Sequence, residues 1–181
     1  MIYLTSDTHF GDSGIMKYID RPFRNVEEMD RVLIENINNT VNGEDVLYIL
    51  GDFTMGGGFK KYTHYLNQIN CRHIRLILGN HDRRFIVNGI QSPFDLKQDY
   101  CEFDYNEIEY NSIWFCLSHY PMLFWNGEDC GSIMCHGHIH SSKRNNDINR
   151  WHHIKRFDVG VDANNYKPIS IEYIWDFFEE G

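Results

Sequence analysis

The sequence predicts an α/β fold in which two β-sheets pack together as a sandwich with helices outside. Its first half alternates short apolar runs, which are typical of buried strands, with segments of helical period, and this favours βαβ units in a mainly parallel sheet. Its second half is richer in strand-like segments and predicts the second sheet. The chain has 181 residues with no recurring repeat and no linker rich in proline or serine, so we expect a single domain over residues 1–181.

Three apolar runs in the first half predict strands, and a segment between them predicts a helix. The runs lie near residues 2–6, 46–50 and 74–78. Asn25 stands three residues before Glu28, as in a capping box, and apolar residues then recur at helical spacing, which predicts a helix over 26–40. A shorter apolar stripe precedes the third strand, and we interpret it as core packing. It consists of Tyr62, Tyr65, Leu66 and Ile69.

The pattern changes after residue 100, where alternating apolar residues indicate a hairpin. Segment 103–110 is followed by the turn residues Asn111 and Ser112 and then by the apolar run 113–117. Three further strands are predicted in the second half. They lie near residues 132–136, 157–161 and 169–174.

Composition argues against several classes of protein. Apolar residues make up 42% and charged residues 24% of the chain, which is ordinary for a globular protein and not for a disordered one. The longest apolar runs have five residues, far fewer than the ~20 that a membrane helix needs. Seventeen basic and twenty-six acidic residues give a net charge of −9, which disfavours attraction to extended nucleic acid. We therefore expect neither a membrane nor an extended nucleic acid as a partner.

The start of the chain and its cysteines favour a cytoplasmic location. The sequence begins without a basic leader followed by an apolar segment. The five cysteines are odd in number and contain no C-x-x-C pair, so neither a disulfide framework nor a thiolate zinc site is indicated. We expect reduced and mostly buried thiols.

Five segments share one pattern, in which a strand-like run ends and aspartate, asparagine or histidine follows within a residue or two. Ligands of open α/β sheets bind beyond the carboxyl ends of the strands, so side chains from separate strands can converge on one crevice. The five segments are Asp7-Thr8-His9, Gly51-Asp52, Gly79-Asn80-His81-Asp82, Ser118-His119 and Gly137-His138-Ile139-His140.

Two of these segments offer paired ligands. Residues i and i+2 of an extended chain face the same side, so Asp7 pairs with His9 and His138 pairs with His140. Imidazole, carboxylate and amide ligands without thiolate suit first-row divalent ions such as Mn, Fe, Co, Ni or Zn. The ligand set predicts a catalytic metal site rather than a structural one.

In their order along the chain, the motifs D-x-H, G-D, G-N-H-D, H and G-H-x-H resemble those of the calcineurin-like metallophosphoesterase superfamily. They span residues 5–140. The ending Asp158-Val159-Gly160-Val161-Asp162, followed by Pro168-Ile169-Ser170-Ile171, is similar to small single-domain bacterial and phage members. The resemblance implies a sandwich of two mixed sheets flanked by helices and a metal-dependent phosphoric ester hydrolase.

The resemblance also implies two divalent ions, with Mn, Fe, Ni or Zn as the expected metals. Two ions about 3.5–4 Å apart can clamp a phosphoryl group and lower the pKa of a bridging water, so a metal-bridging hydroxide is the expected nucleophile. The seven implied ligands fall into three sets: Asp7, His9 and His140 for one ion, Asn80, His119 and His138 for the other, and Asp52 as the bridge.

His81 follows Asn80 directly, and the resemblance implies that its side chain points at the substrate phosphate. We assign His81 to protonation of the leaving group or to stabilisation of transition-state charge. Asn80 and His81 are therefore the expected substrate-binding residues. Asp82 is the second expected catalytic residue, because a carboxylate can orient an imidazole or raise its pKa.

Other residues near these segments are candidates by position alone. His136 shares the i, i+2 face with His138 and could form hydrogen bonds that support the ligands. The rings of Tyr120, Phe124 and Trp125 could line the base of a pocket and stack on an aryl or nucleoside group, although such rings more often pack in the core. Basic side chains could meet a phosphate, although solvated surface is their commoner role. They are Arg21, Arg24, Arg83, Arg84, Lys143 and Arg144.

The predicted function is hydrolysis of a small phosphate monoester or diester, with a small phosphorylated molecule as substrate. The protein Ser/Thr phosphatase branch carries an arginine after G-D and a glutamate after G-N-H, where this chain has Phe53-Thr54-Met55 and Asp82. This difference argues against a phosphoprotein substrate. Two alternatives stay open: a cyclic-nucleotide phosphodiesterase or nuclease, and an inactive scaffold on the same fold. All seven ligand positions and His81 are filled, which favours an enzyme over a scaffold.

Overall fold

A computed structural model describes residues 1–55, 58–82 and 99–179, with the backbone alone for residues 100–102. In this part of the chain the strands are β1 (Ile2–Thr5), β2 (Val46–Ile49), β3 (His73–Ile77), β4 (Asp99–Phe103), β5 (Asn106–Tyr110), β6 (Ile113–Leu117), β7 (Ile133–His136), β8 (Arg156–Asp158) and β9 (Ile169–Ser170). The helices are α1 (Ser13–Tyr18), α2 (Val26–Thr40), α3 (Gly58–Leu66), α4 (Lys143–Trp151) and α5 (Ile171–Glu179), with a 3-10 helix at Glu128–Cys130.

The strands form two mixed sheets, which confirms the predicted fold class. The first sheet has the order β4-β3-β2-β1-β9, with β1 to β4 parallel and β9 antiparallel to β1. The second has the order β5-β6-β7-β8, where the β5–β6 hairpin is antiparallel and the other pairs are parallel. Both sheets therefore contain parallel strands whose carboxyl ends can meet at one edge of the sandwich.

The apolar pattern of β2 shows how the layers pack. Leu47 and Ile49 lie in a core shared with α2 and α3, whereas Tyr48 and Leu50 lie in a second core shared with the other sheet. Successive residues of a strand point to opposite faces, so a continuous apolar run is needed where both faces are covered. The first sheet is accordingly the middle layer, with helices on one side and the second sheet on the other.

Helix α2 begins where the capping pattern predicts. Asn25 Oδ1 accepts a hydrogen bond of 2.8 Å from the Glu28 amide, which satisfies one of the free N–H groups at the start of the helix. Met29, Leu33 and Ile37 are buried on one face, at the spacing of successive helical turns. The second predicted stripe also forms a helix, α3, and it buries Tyr62 and Leu66 against the first core.

The prediction of a strand over 169–174 is wrong beyond residue 170. The strand β9 has two residues, and α5 begins at Ile171. Ser170 Oγ accepts a hydrogen bond of 3.1 Å from the Tyr173 amide, and Ile171 and Ile174 are buried one helical turn apart. The segment also has alternating apolar residues, so its sequence fits both periods and the burial of the helical face decides between them.

Helix α4 was not predicted, because it lacks an apolar stripe. Its buried residues are Asn146 and Asn149. The Asn146 amide pairs with both the N–H and the carbonyl of Asp158 at 2.8 and 3.0 Å, and Asn149 donates to the Arg156 carbonyl at 2.9 Å. Asparagine side chains thus bind the free edge of β8, and hydrophobic periodicity cannot reveal a helix held this way.

Among the described residues, no helix is both long and apolar enough to cross a membrane. The four cysteines whose side chains are described are free. Cys71, Cys116 and Cys135 are buried, and Cys130 is exposed.

Candidate metal centre

The predicted ligands come together at one edge of the sandwich, where strands of both sheets end. Asp7, Asp52 and Asn80 follow β1, β2 and β3 of the first sheet. His119 follows β6 of the second sheet, and His138 follows β7. Because the two sheets face each other, their carboxyl ends deliver these side chains to a shared crevice.

Within the part of the chain that the structure describes, three groups of side chains lie close enough to hold a metal ion. Within each group, the possible ligand atoms lie within 4.8 Å of one another. The groups are Asp7 with His9 and His140, Asp52 with His119 and His138, and His9 with Asp52 and His81. The first group has the same members as one implied set, and the second contains His119 and His138 of the other set with Asp52 in the place of Asn80. The third group shares His9 with the first and Asp52 with the second.

Asp52 lies between the other groups. Its Oδ2 is 3.7 Å from His9 Nε2 and 3.4 Å from His119 Nε2. Its Oδ1 accepts a hydrogen bond of 2.9 Å from the His81 amide, which fixes the carboxylate. Asn80 reaches the same place, since its Oδ1 is 3.0 Å from His119 Nε2. A carboxylate placed in this way can serve two neighbouring ions.

The backbone at the paired ligands is left-handed instead of extended, contrary to the sequence argument, but Asp7 and His9 still lie in one group. Asp7 has a φ of 57° and His9 of 51°, and His138 and His140 have φ values of 72° and 45°. Asp52 is also left-handed, at 52°. Residues other than glycine rarely adopt positive φ values, because the side chain then crowds the backbone. Backbone strain of this kind is concentrated at functional sites. The turns send His138 and His140 to different groups instead of forming one half-site.

Burial sets the protonation of the metal-free ligands. Burial raises the pKa of Asp7 to about 7, although the nearby charges of His119 and His140 lower it. Burial lowers the pKa of His9 to about 4 against the attraction of Asp52. Burial alone would raise the pKa of Asp52, but the hydrogen bond and charge of His119 outweigh it and lower the pKa to about 2. His9 is therefore neutral and Asp52 ionised near neutral pH, which are the forms that bind a cation.

His9 shows that this donor set fits a metal ion. The side chain is buried, and neither ring nitrogen has a hydrogen-bond partner in the described part of the chain. Its Nδ1 lies 3.3 Å from Asp12 Oδ2 outside hydrogen-bonding geometry, and its Nε2 faces Asp52. Buried polar atoms nearly always have partners. A divalent cation between His9 and the carboxylates would satisfy this neutral imidazole.

The glycines of two motifs make room for the acidic ligands. A Cβ at Gly79 would lie 2.6 Å from the Asp52 amide nitrogen and would overlap the Asp52 carboxylate. A Cβ at Gly137 would overlap Ser6 Oγ and Asp7 Oδ2. Close approach of the backbone to the carboxylates, rather than an unusual φ, therefore requires glycine at both positions.

Asp82 has a different role from the one predicted. Its carboxylate is buried and accepts hydrogen bonds from the amides of Asp52 at 2.7 Å, Gly79 at 2.9 Å and Phe53 at 3.1 Å. Both oxygens are thus engaged with the loops after β2 and β3, not with the His81 imidazole. Asp82 is a positioning residue that ties the Asp52 loop to the Gly79 loop.

The sequence reasoning missed Asp162 as a residue of this site. Asp162 Oδ2 is 2.9 Å from His140 Nδ1, and the carboxylate also pairs with the guanidinium of Arg21. Asp162 belongs to the Asp-Val-Gly-Val-Asp ending that carries part of the resemblance, which is the signal that could have found it. Arg21 is buried in this contact, so it does not offer its charge to a substrate phosphate as the sequence suggested.

Among the other basic candidates, those that the structure describes do not form a group at the site. Arg24 is exposed and pairs with Glu28 at 3.0 Å, and Lys143 and Arg144 are exposed on α4. Arg83 and Arg84 lie outside the described residues.

Of the candidate aromatic rings, Tyr120 adjoins the centre. Its ring lies 4.9 Å from that of His119 and 4.7 Å from that of His138, and the side chain is partly exposed. Trp125 is core, packed with Cys116 and Met134, whereas Phe124 is 76% exposed. An aromatic floor made of all three rings is therefore wrong.

His136 is fully buried beside the centre. Its Nδ1 is 2.9 Å from the Gly137 carbonyl, and its Nε2 has no hydrogen-bond partner among the described residues. Burial lowers the pKa of this imidazole. Its contact with Gly137 supports the loop that carries His138.

The sequence profile of the calcineurin-like phosphoesterase family matches residues 1–180. The chain belongs to this family. An uncharacterized protein of Methanocaldococcus jannaschii is 36% identical over 184 residues, which cover 99% of this chain and 92% of that protein. The gene 66 protein of Mycobacterium phage L5 is 29% identical over 184 residues, covering 89% of this chain and 86% of that protein. A protein of unknown function from Aquifex aeolicus has a crystal structure with a TM-score of 0.73 and 27% identity, covering 97% of this chain and 98% of that chain.

Membership in the calcineurin-like phosphoesterase family and the clustered His and Asp side chains support the same function. They favour a phosphoric ester hydrolase that binds divalent metal. The solved relative extends over nearly the whole of both chains, so the sandwich that carries the cluster is shared with it.

Proposed function

We propose that the protein is a dinuclear-metal phosphoesterase that hydrolyses a small phosphate monoester or diester. The observation that carries the proposal is the position of Asp52, whose Oδ2 lies between His9 and His119 and so between two groups of potential ligands. In the proposal Asp52 is the bridge, and Asn80 joins the second group. The full ligand set is Asp7, His9, Asp52, Asn80, His119, His138 and His140.

The chain orients His119, one of these ligands, for metal binding. His119 Nδ1 is 2.8 Å from the Leu50 carbonyl, which only accepts hydrogen bonds, so Nδ1 carries the proton and the lone pair of Nε2 is directed at Asp52 and Asn80. Divalent ions bound here would polarise the phosphoryl oxygens and lower the pKa of a coordinated water. Mn, Fe, Ni and Zn all suit the imidazole and carboxylate donors, and Mn is the ion to test first.

His81 is the proposed general acid. Its side chain is 31% exposed and its Nε2 lies 3.9 Å from Asp52 Oδ2, so the imidazole stands at the open side of the bridging carboxylate. The His81 amide is fixed by Asp52, and the ring lies 5.3 Å from the ring of His9. From this position His81 can protonate a leaving oxygen or stabilise charge on the phosphoryl group, while Asn80 contacts the substrate beside it.

We propose a small phosphorylated molecule as the substrate. The net charge of −9 opposes the long-range attraction that extended nucleic acid requires. A small anion can instead be bound by local contacts with the ions and His81. The proposed place of action is the cytoplasm.

The experiment compares metal-depleted protein before and after addition of Mn, Fe, Ni, Zn or Mg, with metal content and hydrolysis measured together. An aryl phosphate and a bis-aryl phosphate separate monoesterase from diesterase activity. We expect about two ions per chain and restored turnover. Two bound ions without turnover of either ester would indicate a more demanding natural substrate. No bound ions and no turnover would refute the proposal and favour the scaffold alternative.

Two variants separate metal binding from proton transfer. Asp52→Asn should lose most activity and bind fewer ions, because the bridge is removed. His81→Ala should keep two ions and lose turnover by about 10²-fold or more. His73→Ala is the matched control, because His73 is similarly exposed but lies at the amino end of β3, away from the ligand edge. Wild-type turnover in His81→Ala would refute its catalytic role.

A further inference from the structure

A buried arginine and a carboxylate connect the Asp7 loop to His140. Arg21 Nε and Nη2 donate to the two oxygens of Asp162 at 2.9 and 3.0 Å. The same guanidinium donates to the carbonyl of Asp7 at 2.6 Å and to that of Thr8 at 3.0 Å. The Arg21 side chain has no exposed surface, and that of Asp162 is 10% exposed. Such a bidentate and fully engaged pair is rigid.

The pair contacts both parts of the first ligand group. Its hydrogen bonds to the Asp7 and Thr8 carbonyls hold the turn in which Asp7 and His9 take left-handed φ values. On its other side, Asp162 Oδ2 is 2.9 Å from His140 Nδ1. By contrast, His119 of the second group is oriented by a separate contact with the Leu50 carbonyl.

We infer that Arg21 and Asp162 are positioning residues that determine the affinity of one of the two metal sites, the one formed by Asp7, His9 and His140. This inference rests on the proposed function. Neither Arg21 nor Asp162 is itself a ligand, and substitution of either residue is expected to affect the same ion.

The chemical reason is the tautomer of His140. An ionised carboxylate only accepts hydrogen bonds, so Asp162 places the imidazole proton on Nδ1 and leaves the lone pair on Nε2. His140 Nε2 faces Asp7, at 3.9 Å from its Oδ1. An asparagine at position 162 has one acceptor oxygen where Asp162 has two, so its NH₂ group must face either His140 or an N–H group of Arg21. Facing His140, the NH₂ group favours the opposite tautomer, with the proton on the nitrogen that should bind the ion. Facing Arg21, it breaks one hydrogen bond of the pair that holds the Asp7 turn.

Calorimetric titration of metal-depleted protein with Mn²⁺ tests the inference. In Asp162→Asn we expect one ion to bind about 10- to 100-fold more weakly and the other to bind as in the wild type. Arg21→Lys keeps the charge but cannot make the four contacts, and it should weaken the same ion. Asp45→Asn is the control, because Asp45 is a similarly buried carboxylate with two hydrogen bonds, to the amino terminus and to the Asn42 amide, outside the metal centre.

A second measurement needs neither activity nor a variant at position 162. Long-range ¹H–¹⁵N NMR spectra of the metal-free wild type at alkaline pH report which ring nitrogen of each histidine carries the proton. The His140 signals are identified by their loss in His140→Gln. We expect the proton on Nδ1, and a proton on Nε2 would overturn the inference even if Asp162→Asn does not fold.

The outcomes separate this inference from the proposed function. If the wild type binds two ions but Asp162→Asn loses affinity for both equally, or for neither, the positioning role is refuted and the phosphoesterase proposal stands. A loss of affinity in Asp45→Asn as large as in Asp162→Asn would show a general effect of removing a buried carboxylate, which also refutes it. If the wild type binds no ion, both proposals fail.

Discussion

Replacing Gly79 with alanine would test whether the loop after β3 has space for a side chain beside the bridging carboxylate. The new Cβ would lie 2.6 Å from the Asp52 amide nitrogen and 3.0 Å from its Cγ, whereas ordinary contacts begin at 3.4 Å. The obstacle includes backbone, so rotation of one side chain cannot relieve it. The Asp52 loop and the Gly79 loop must therefore move apart.

The expected cost follows from this displacement. Overpacking of this kind destabilises a protein by about 1–3 kcal/mol. The smaller conformational freedom of alanine in the unfolded chain offsets about 0.4–1 kcal/mol of that. A displacement of roughly 1 Å at a reacting group lowers the rate on the order of 10²-fold. We expect a decrease of about 1–2 kcal/mol in the free energy of unfolding and a far larger relative loss of kcat/KM.

Urea denaturation of the metal-depleted protein measures the first effect, and hydrolysis of an aryl phosphate with metal-content analysis measures the second. Gly43→Ala is the matched control, since a Cβ there would come no closer than 3.8 Å to the nearest atom beyond its chain neighbours, the Asn70 carbonyl oxygen. That variant should keep its activity and be as stable as the wild type or slightly more stable. Wild-type kcat/KM in Gly79→Ala would refute the claim that glycine is needed for close approach to Asp52.

Two further predictions concern the start of α2 and the pH dependence of metal loading. Asn25→Ala removes the side chain that accepts the Glu28 amide, so the free energy of unfolding should fall by about 1 kcal/mol with no change in activity, and an unchanged urea midpoint would contradict this. Burial raises the pKa of Asp7 to about 7, so protons compete with the metal below that pH. The apparent Mn²⁺ affinity of the metal-depleted protein should therefore fall as the pH drops below 7, by up to about tenfold per pH unit, and a pH-independent affinity would refute it.

The main elements of the fold were predictable because their apolar patterns fit a single period. The run at β2 has to be apolar on both faces, and α2 combines a capping residue with one buried stripe. The sequence of α5 fits the period of a strand as well as that of a helix. Burial of Ile171 and Ile174 against both sheets decides in favour of the helix. Helix α4 could not be predicted, because Asn146 and Asn149 hold it to β8 by polar contacts.

The clustering of the candidate ligands was predictable from strand ends, but the directions of the side chains were not. Left-handed φ values at His138 and His140 send neighbouring imidazoles to different groups, which an extended chain would not do. Asp82 points back at three backbone amides of the two loops that meet around it. The contact of Asp162 with His140 joins residues from separate loops, and no local pattern contains that information.

Both sheets of the sandwich contribute ligands to the candidate metal centre. Asp7 and Asp52 follow strands of one sheet, and His119 and His138 follow strands of the other. Ions bound there would cross-link the two sheets. An ion that binds the folded chain and not the unfolded one stabilises it by RT ln(1 + [M]/Kd), about 2.7 kcal/mol at a concentration of one hundred times Kd. Separation of the sheets at this edge would then require release of the ions. Metal exchange and amide hydrogen exchange in β1, β2, β6 and β7 would accordingly slow together as ions occupy the centre. The lifetime of the bound ions would then report how often the two sheets separate.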